Sequence, residues 1–207
     1  MKNYQEKQFN IGRHLDGISE KQMEEHLKLY SGYVKHTNLI REKIIELSSD
    51  KEHANSSEQE NNIYLISELR RRFNFEFNGM RMHEYYFEQF EGEQTDLDPE
   101  SPLGKIMAEK YESLEKSIEH FVTVGKTRGI GWVVLAYDPI GETPHIVWVG
   151  DHELGQLGGL PIIAVMDMWE HAFMVDYLPS EKGKYIEAFL KNINAKVLEK
   201  RFEIIIK

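Results

Sequence analysis

The sequence predicts an α+β protein: a long N-terminal helical hairpin followed by an α/β unit with a small sheet. Three observations carry this. Apolar residues recur at helical spacing over two long stretches separated by a polar tract. An acidic segment with two prolines, EGEQTDLDPESPLG (91–104), follows them, and such composition marks a domain boundary. Beyond it, three short runs rich in β-branched and aromatic residues stand among helical stretches. The expected division is a helical hairpin domain over residues 1–95 and an α/β domain over 96–207.

The first helix opens at Ser19-Glu20-Lys21-Gln22, which has the form of a capping box. Met23, Leu27, Tyr30, Tyr33, Val34, Thr37, Ile40, Ile44 and Leu47 then make one amphipathic stripe. At about 100° per residue His26 falls near the middle of that stripe, whereas Glu25 points away from it. The tract SSDKEHANSSEQENN (48–62) reads as a loop. A second helix is expected from about Ile63 to Phe90, with Leu65, Leu69, Phe73, Phe77, Met80, His83 and Phe87 in helical succession. One or two helices reach Lys126. Strands are expected at GWVVLAYD (131–138), PHIVWVG (144–150) and LPIIAVM (160–166), the first two joined by the turn DPIGETP. Helix returns at Met168, and Ile186, Phe189, Leu190, Ile193 and Val197 set the stripe of a closing helix from Tyr185 to Arg201. The chain has no internal repeat and no low-complexity tract.

Composition narrows the function. With 41% hydrophobic and 29% charged residues the 207-residue chain is ordinary for a globular protein. The N-terminal residues lack an apolar signal region and no apolar run is long enough to span a bilayer, so a cytoplasmic protein without a membrane partner is expected. There is no cysteine, so any metal must be held by histidines and carboxylates. A formal charge of -10 argues against nucleic acid as a partner. The run Arg70-Arg71-Arg72 reads as a solvated helix face.

The stretch DMWEHAFMVDY (167–177) places Asp167 at the end of a buried strand and His171 one helical turn later, where both can aim at one point. The alternative is a helix-capping Asp167 and a half-buried His171. His26 and His83 on the two long helices each admit a similar reading as hydrogen-bonded core residues. Taken together, three imidazoles and a carboxylate would be a costly cluster to bury unless a metal compensates it. Iron, manganese and zinc all suit that donor set.

The segments HEYYF (83–87), GIGW (129–132) and DMWEHAFMVDY resemble, in order and spacing, the signature blocks of the iron/manganese superoxide dismutase family. The resemblance extends from the first helix to the closing YIEAFLKNINAKVLEKRF (185–202). It implies a C-terminal domain with a three-stranded antiparallel sheet and one iron or manganese per chain, set between the two domains. The implied ligands are His26, His83, Asp167 and His171, with solvent as a fifth. It further implies Tyr33 as gateway tyrosine, Trp132 and Trp169 as pocket-lining aromatics beside Phe87, and superoxide as substrate. The residue that holds the solvent should lie in GDHELG (150–155), as His152 or its rival Asp151. A homodimer is implied in which Glu170 meets His171 of the other chain.

The chain also departs from the family pattern. The family spaces its first ligand one residue further from the gateway tyrosine, which would select Glu25; the helical face selects His26. An additional family histidine is replaced by Tyr30 or Leu29, and a partner-facing tyrosine by Met174. An acidic chain needs a local positive field to attract an anion, for which Lys28, Lys182 and Lys184 are candidates. Two other readings keep the fold: a zinc hydrolase with the same ligands, and an interaction module with a degenerate site.

Overall fold

The computed structural model describes residues 2–49, 56–152 and 159–207. Two long helices, α1 (Glu20–Ser49) and α2 (Ser56–Glu88), pack along each other as the hairpin. Helix thus includes residues 56–62 of the tract expected to be a loop, while 50–55 lie outside the described residues. Residues 57–61 are exposed. A solvated helix end needs helix-compatible residues such as Glu and Gln and no apolar stripe, so the stripe under-reads the helix.

The capping box is half formed. Ser19 Oγ accepts from Gln22 N at 3.0 Å, but Ser19 N donates to Asp176 Oδ2 at 2.7 Å and the Gln22 side chain is turned into the protein. Ahead of α1 the chain lies along the hairpin, with Tyr4 N donating to Asn38 Oδ1 and Lys7 N to Tyr30 Oη, both at 2.9 Å.

Two short helices follow, α3 (Pro102–Tyr111) and α4 (Leu114–Gly125). Ser101 and Ser113 cap them, their hydroxyls accepting from Gly104 N and Lys116 N. Strands β1 (Gly131–Asp138), β2 (Thr143–Gly150) and β3 (Ile162–Asp167) then form one antiparallel sheet in the order β2-β1-β3. The central β1 is buried along its length except at Asp138. Trp132 pairs with Val149 on one side and Asp167 on the other. β3 starts at Ile162 because Pro161 has no N–H to give the ladder; its carbonyl accepts from Tyr137 N at 3.0 Å, beside an irregularity between Leu135 and Ala136.

The single closing helix expected from Tyr185 to Arg201 is two, α5 (Lys182–Asn192) and α6 (Ala195–Ile205). The break falls where the chain crosses the end of α2. Asn194 N donates to Gln89 O at 2.8 Å, and the Asn194 side chain caps α6 by accepting from Lys196 N. The stripe runs through because both helices bury the same face.

One contact fixes the hairpin to the sheet. Buried Gln89 donates from Nε2 to Val165 O at 2.7 Å and accepts at Oε1 from Val165 N at 2.8 Å. Gln89 lies just past the end of α2, one residue after Glu88, and Val165 lies just before Asp167 on β3, so the pair sets the register between the two elements. None of the helices among the described residues is long and apolar enough to cross a membrane.

Candidate metal centre

The hairpin and the sheet meet at Asp167. Its Oδ2 lies 3.1 Å from His26 Nε2, 3.2 Å from His171 Nε2 and 3.5 Å from His83 Nε2. One donor atom from each of the four residues falls within 4.8 Å of every other. His26, His83 and Asp167 are fully buried, and the His171 side chain is 18% exposed. Glu25, the rival of His26, is exposed and paired with Lys28.

Asp167 and His83 are held in orientation by backbone contacts. Asp167 ends β3, and its Oδ1 accepts from Trp169 N at 2.8 Å, which leaves Oδ2 for the cluster. Tyr185 Oη donates to the Asp167 carbonyl at 2.8 Å. His83 Nδ1 donates to Gly79 O at 2.7 Å, so its proton sits there and the Nε2 lone pair faces inward. That Nε2 is a buried atom without a hydrogen-bond partner, an arrangement that is costly for a polar atom and natural for a ligand atom. First-row metals take nitrogen and oxygen donors at about 2.0–2.2 Å, which puts ligand atoms on opposite sides no more than about 4.4 Å apart. The 4.8 Å limit found here is close to that span, so the donor set suits one such ion after a small contraction, and thiolate-selecting metals are disfavoured by its chemistry.

His171 does not stand on an α-helix. The expected helix at Met168 is a single 3-10 turn, Glu170–Ala172, followed by irregular turns. The reason is Gln22. Its Nε2 donates to His171 O at 2.7 Å and its Oε1 accepts from Val175 N at 3.0 Å. Those two backbone groups are the ones an α-helix would join, so an amide from α1 is inserted into the bond that would have propagated it.

The electrostatics match ligand chemistry. Burial pushes the His26 and His83 imidazoles down, against the pull of Asp167, so both are neutral, as metal ligands must be. Burial opposes ionisation of Asp167, yet the His171 imidazole and the contacts with His171 and His26 outweigh it and hold the carboxyl well below the usual carboxylate range.

Around the cluster lie the other expected residues. The His152 ring is buried, 6.0 Å from the His83 ring and 5.0 Å from that of Tyr33. It stacks on Phe75 at 4.8 Å and meets Trp169 edge-on at 4.8 Å. Asp151 adopts a left-handed φ of 55° and accepts from His152 N, so the turn aims the histidine inward while the aspartate serves the backbone. Burial pushes the His152 imidazole down to about 4. Trp132 stands edge-on to His83 at 5.1 Å, Trp169 stacks on His171 at 5.7 Å, and Phe87 lies against His26 at 5.0 Å. Burial, the Asp167 carboxylate and Glu76 raise the Tyr33 phenol, which keeps it protonated. Residues 153–155 of GDHELG lie outside the described residues.

Sequence reasoning missed Gly79. A Cβ there would meet His152 Nδ1 at 2.5 Å and Tyr33 Cδ1 at 2.6 Å, so only glycine lets both rings approach α2. The available signal was a glycine inside a helical pattern, which costs about 1 kcal/mol relative to alanine and asks for a reason. It also missed Gln22 and Gln89, whose roles need the tertiary partner. Of the three candidate lysines, Lys28 alone lines the depression outside Tyr33. Lys182 donates to Thr127 O and lies over Trp148, and Lys184 pairs with Glu181. Tyr30, on the buried face, donates to Glu84 Oε1 at 3.2 Å, whereas Leu29 is exposed. Glu170 and Met174 are exposed.

Comparison with known proteins agrees with this architecture. The family model described as "Iron/manganese superoxide dismutases, C-terminal domain" matches residues 99–201. The chain is 32% identical over 202 residues to an iron superoxide dismutase of Aquifex pyrophilus, covering 92% of this chain and 87% of that protein. It is 33% identical, with the same coverage, to an iron superoxide dismutase of Aquifex aeolicus. A manganese/iron superoxide dismutase of Aeropyrum pernix is 30% identical over 183 residues, 86% of this chain and 79% of that protein. With relatives of this identity aligned along most of its length, the chain belongs to the iron/manganese superoxide dismutase family.

Proposed function

We propose that the protein disproportionates superoxide to oxygen and hydrogen peroxide at one iron or manganese ion per chain, held by His26, His83, Asp167 and His171. The observation that carries this reading is the convergence of three imidazole nitrogens on one carboxylate oxygen at 3.1–3.5 Å in a buried site. The chemistry the metal supplies is one-electron exchange with superoxide in both directions.

The remaining work belongs to the chain. Gly79 O and Trp169 N orient His83 and Asp167, so the donors are held before any ligand arrives. His152 and Tyr33 stand where a proton is needed for peroxide: Tyr33 Oη can give one and recover it from solvent through the depression it lines. The neutral His152 ring can hold a hydrogen bond at the centre of the site and bias its protonation. Trp132, Trp169 and Phe75 restrict water around the reacting region.

The reading includes a homodimer. The His171 ring turns Nε2 inward while part of the side chain stays exposed, so its other N–H can donate outward. Glu170 is exposed beside it, and a two-fold axis there would let each Glu170 accept from His171 of the partner.

The test is metal analysis with a superoxide-consumption assay on protein loaded separately with iron, manganese and zinc. One iron or manganese per chain with redox activity is expected. His83→Ala should lose the metal, and His152→Ala should keep it while losing dismutation. Activity only with zinc, toward a hydrolysable substrate, would replace this reading.

A further inference from the structure

Outside Tyr33 and His171 the surface sinks into a depression of about 920 Å³ between α1 and α2. Four of its lining side chains carry formal charge at neutral pH: Glu25, Lys28, Arg72 and Glu76. They cancel, although the chain as a whole carries -10. The charges of the lining residues are thus balanced, and loss of any one of them shifts that balance.

The two pairs differ. Lys28 is held at the surface by Glu25 at 2.9 Å and Glu24 at 3.2 Å, all three well solvated, so water and salt damp their field. Arg72 donates from Nε and Nη2 to Glu76 Oε1 at 2.9 and 2.7 Å, and Glu76 is only 6% exposed. The Arg72 guanidinium lies 3.9 Å over the Phe75 ring, the ring that stacks on His152. Glu76, with little water around it, acts further than a solvated charge, while the Arg72 side chain is half exposed. Arginine four residues before glutamate is the weaker order for helix stability, so the pair supports α2 only modestly. Arg72 is exposed, as expected of the solvated Arg70-Arg71-Arg72 face, and in addition meets Glu76 and Phe75.

We propose that the Arg72–Glu76 pair sets the potential at the mouth through which superoxide enters, Arg72 attracting the anion and Glu76 restraining it. The inference rests on the dismutase reading for its substrate. Both residues act on entry rather than on the chemistry inside.

The test compares metal-loaded wild type with R72Q, E76Q, the double variant R72Q/E76Q, and R72K. Two quantities are read across ionic strength: kcat/KM for superoxide, and azide affinity by absorbance titration of the iron-loaded protein. R72Q should lower both and E76Q raise both, each roughly three- to tenfold at low salt. The double variant should stay within about twofold of wild type, and all differences should shrink toward unity by about 0.5 M salt. R72K, which keeps the charge without the fork, should retain the wild-type salt dependence. If R72Q and E76Q fall together, if the double variant falls further, or if R72K follows R72Q, the pair acts by packing and the proposal is overturned. Wild type without dismutation would overturn the functional reading instead, and azide titration would still test the sign of the mouth.

Discussion

Replacing Gln22 by leucine tests whether one amide holds the turn that carries His171. Gln22 is buried at 1% exposure and makes two hydrogen bonds, to His171 O at 2.7 Å and from Val175 N at 3.0 Å. Leucine keeps the volume and the apolar contacts but leaves a part-buried carbonyl and a part-buried N–H without protein partners, each worth up to roughly 1–3 kcal/mol. The turn can recover part of that by closing the His171 O to Val175 N bond itself, so the net loss is about 2–4 kcal/mol rather than the full sum. At roughly 2–4 °C per kcal/mol for a chain of this size, melting should fall by about 4–16 °C. Relaxing toward a regular helix would also rotate His171 away from Asp167, so metal occupancy should fall with it. Calorimetry and metal analysis read the two effects, and hydrogen exchange at the Val175 amide reads the turn directly. A Q22L protein that melts within 1 °C of wild type and keeps full metal would refute the reasoning.

Three further outcomes follow from the geometry. Gly79→Ala must push the His152 ring back by about 0.9 Å to reach an ordinary contact, an overpacking that outweighs the helix-propensity gain of about 1 kcal/mol; activity should fall at least tenfold with metal retained, and unchanged kinetics would remove Gly79 from the positioning role. Glu88 is held by Lys7 and Arg201, and although burial opposes its ionisation, those partners depress its carboxyl. A depressed carboxyl contributes stability above its unfolded value that is lost as pH falls through the folded one; Glu88→Gln should therefore cost roughly 1–3 kcal/mol at pH 7, with the gap in melting temperature closing below about pH 4. Glu170→Ala should shift the protein toward monomer in light scattering and lower metal occupancy, and a fully loaded dimer at low concentration would exclude the double bridge.

How legible the molecule was depends on the range of the signal. His26 and His83 could be placed by helical phase because burial of one stripe is a property of a single helix, and the phase separated His26 from Glu25 despite the irregular spacing. The three strands were legible because β1 and β3 are buried and read as continuous apolar runs. Periodicity failed where another element interrupts a helix without changing its apolar face. Gln22 stops the helix after Asp167, and the crossing at Gln89 and Thr95 divides α5 from α6. Nor could it show Arg72 at the mouth, since a charged helix residue looks the same whether it faces water or a channel.

The Gln89 amide has a consequence for the company this protein keeps. β3 lies at the edge of the sheet, and a strand edge with a free N–H and carbonyl is a template on which another chain can add itself. Gln89 takes both groups of Val165 at once, standing where a fourth strand would begin. The sheet is thereby closed to growth at that point, and the protection comes from the turn that directly follows the helix supplying His83. A chain in which α2 has yet to dock exposes an apolar strand with an open edge, so crowded refolding should be most prone to aggregation before the hairpin closes, and Gln89→Leu should prolong that interval even where the finished fold survives.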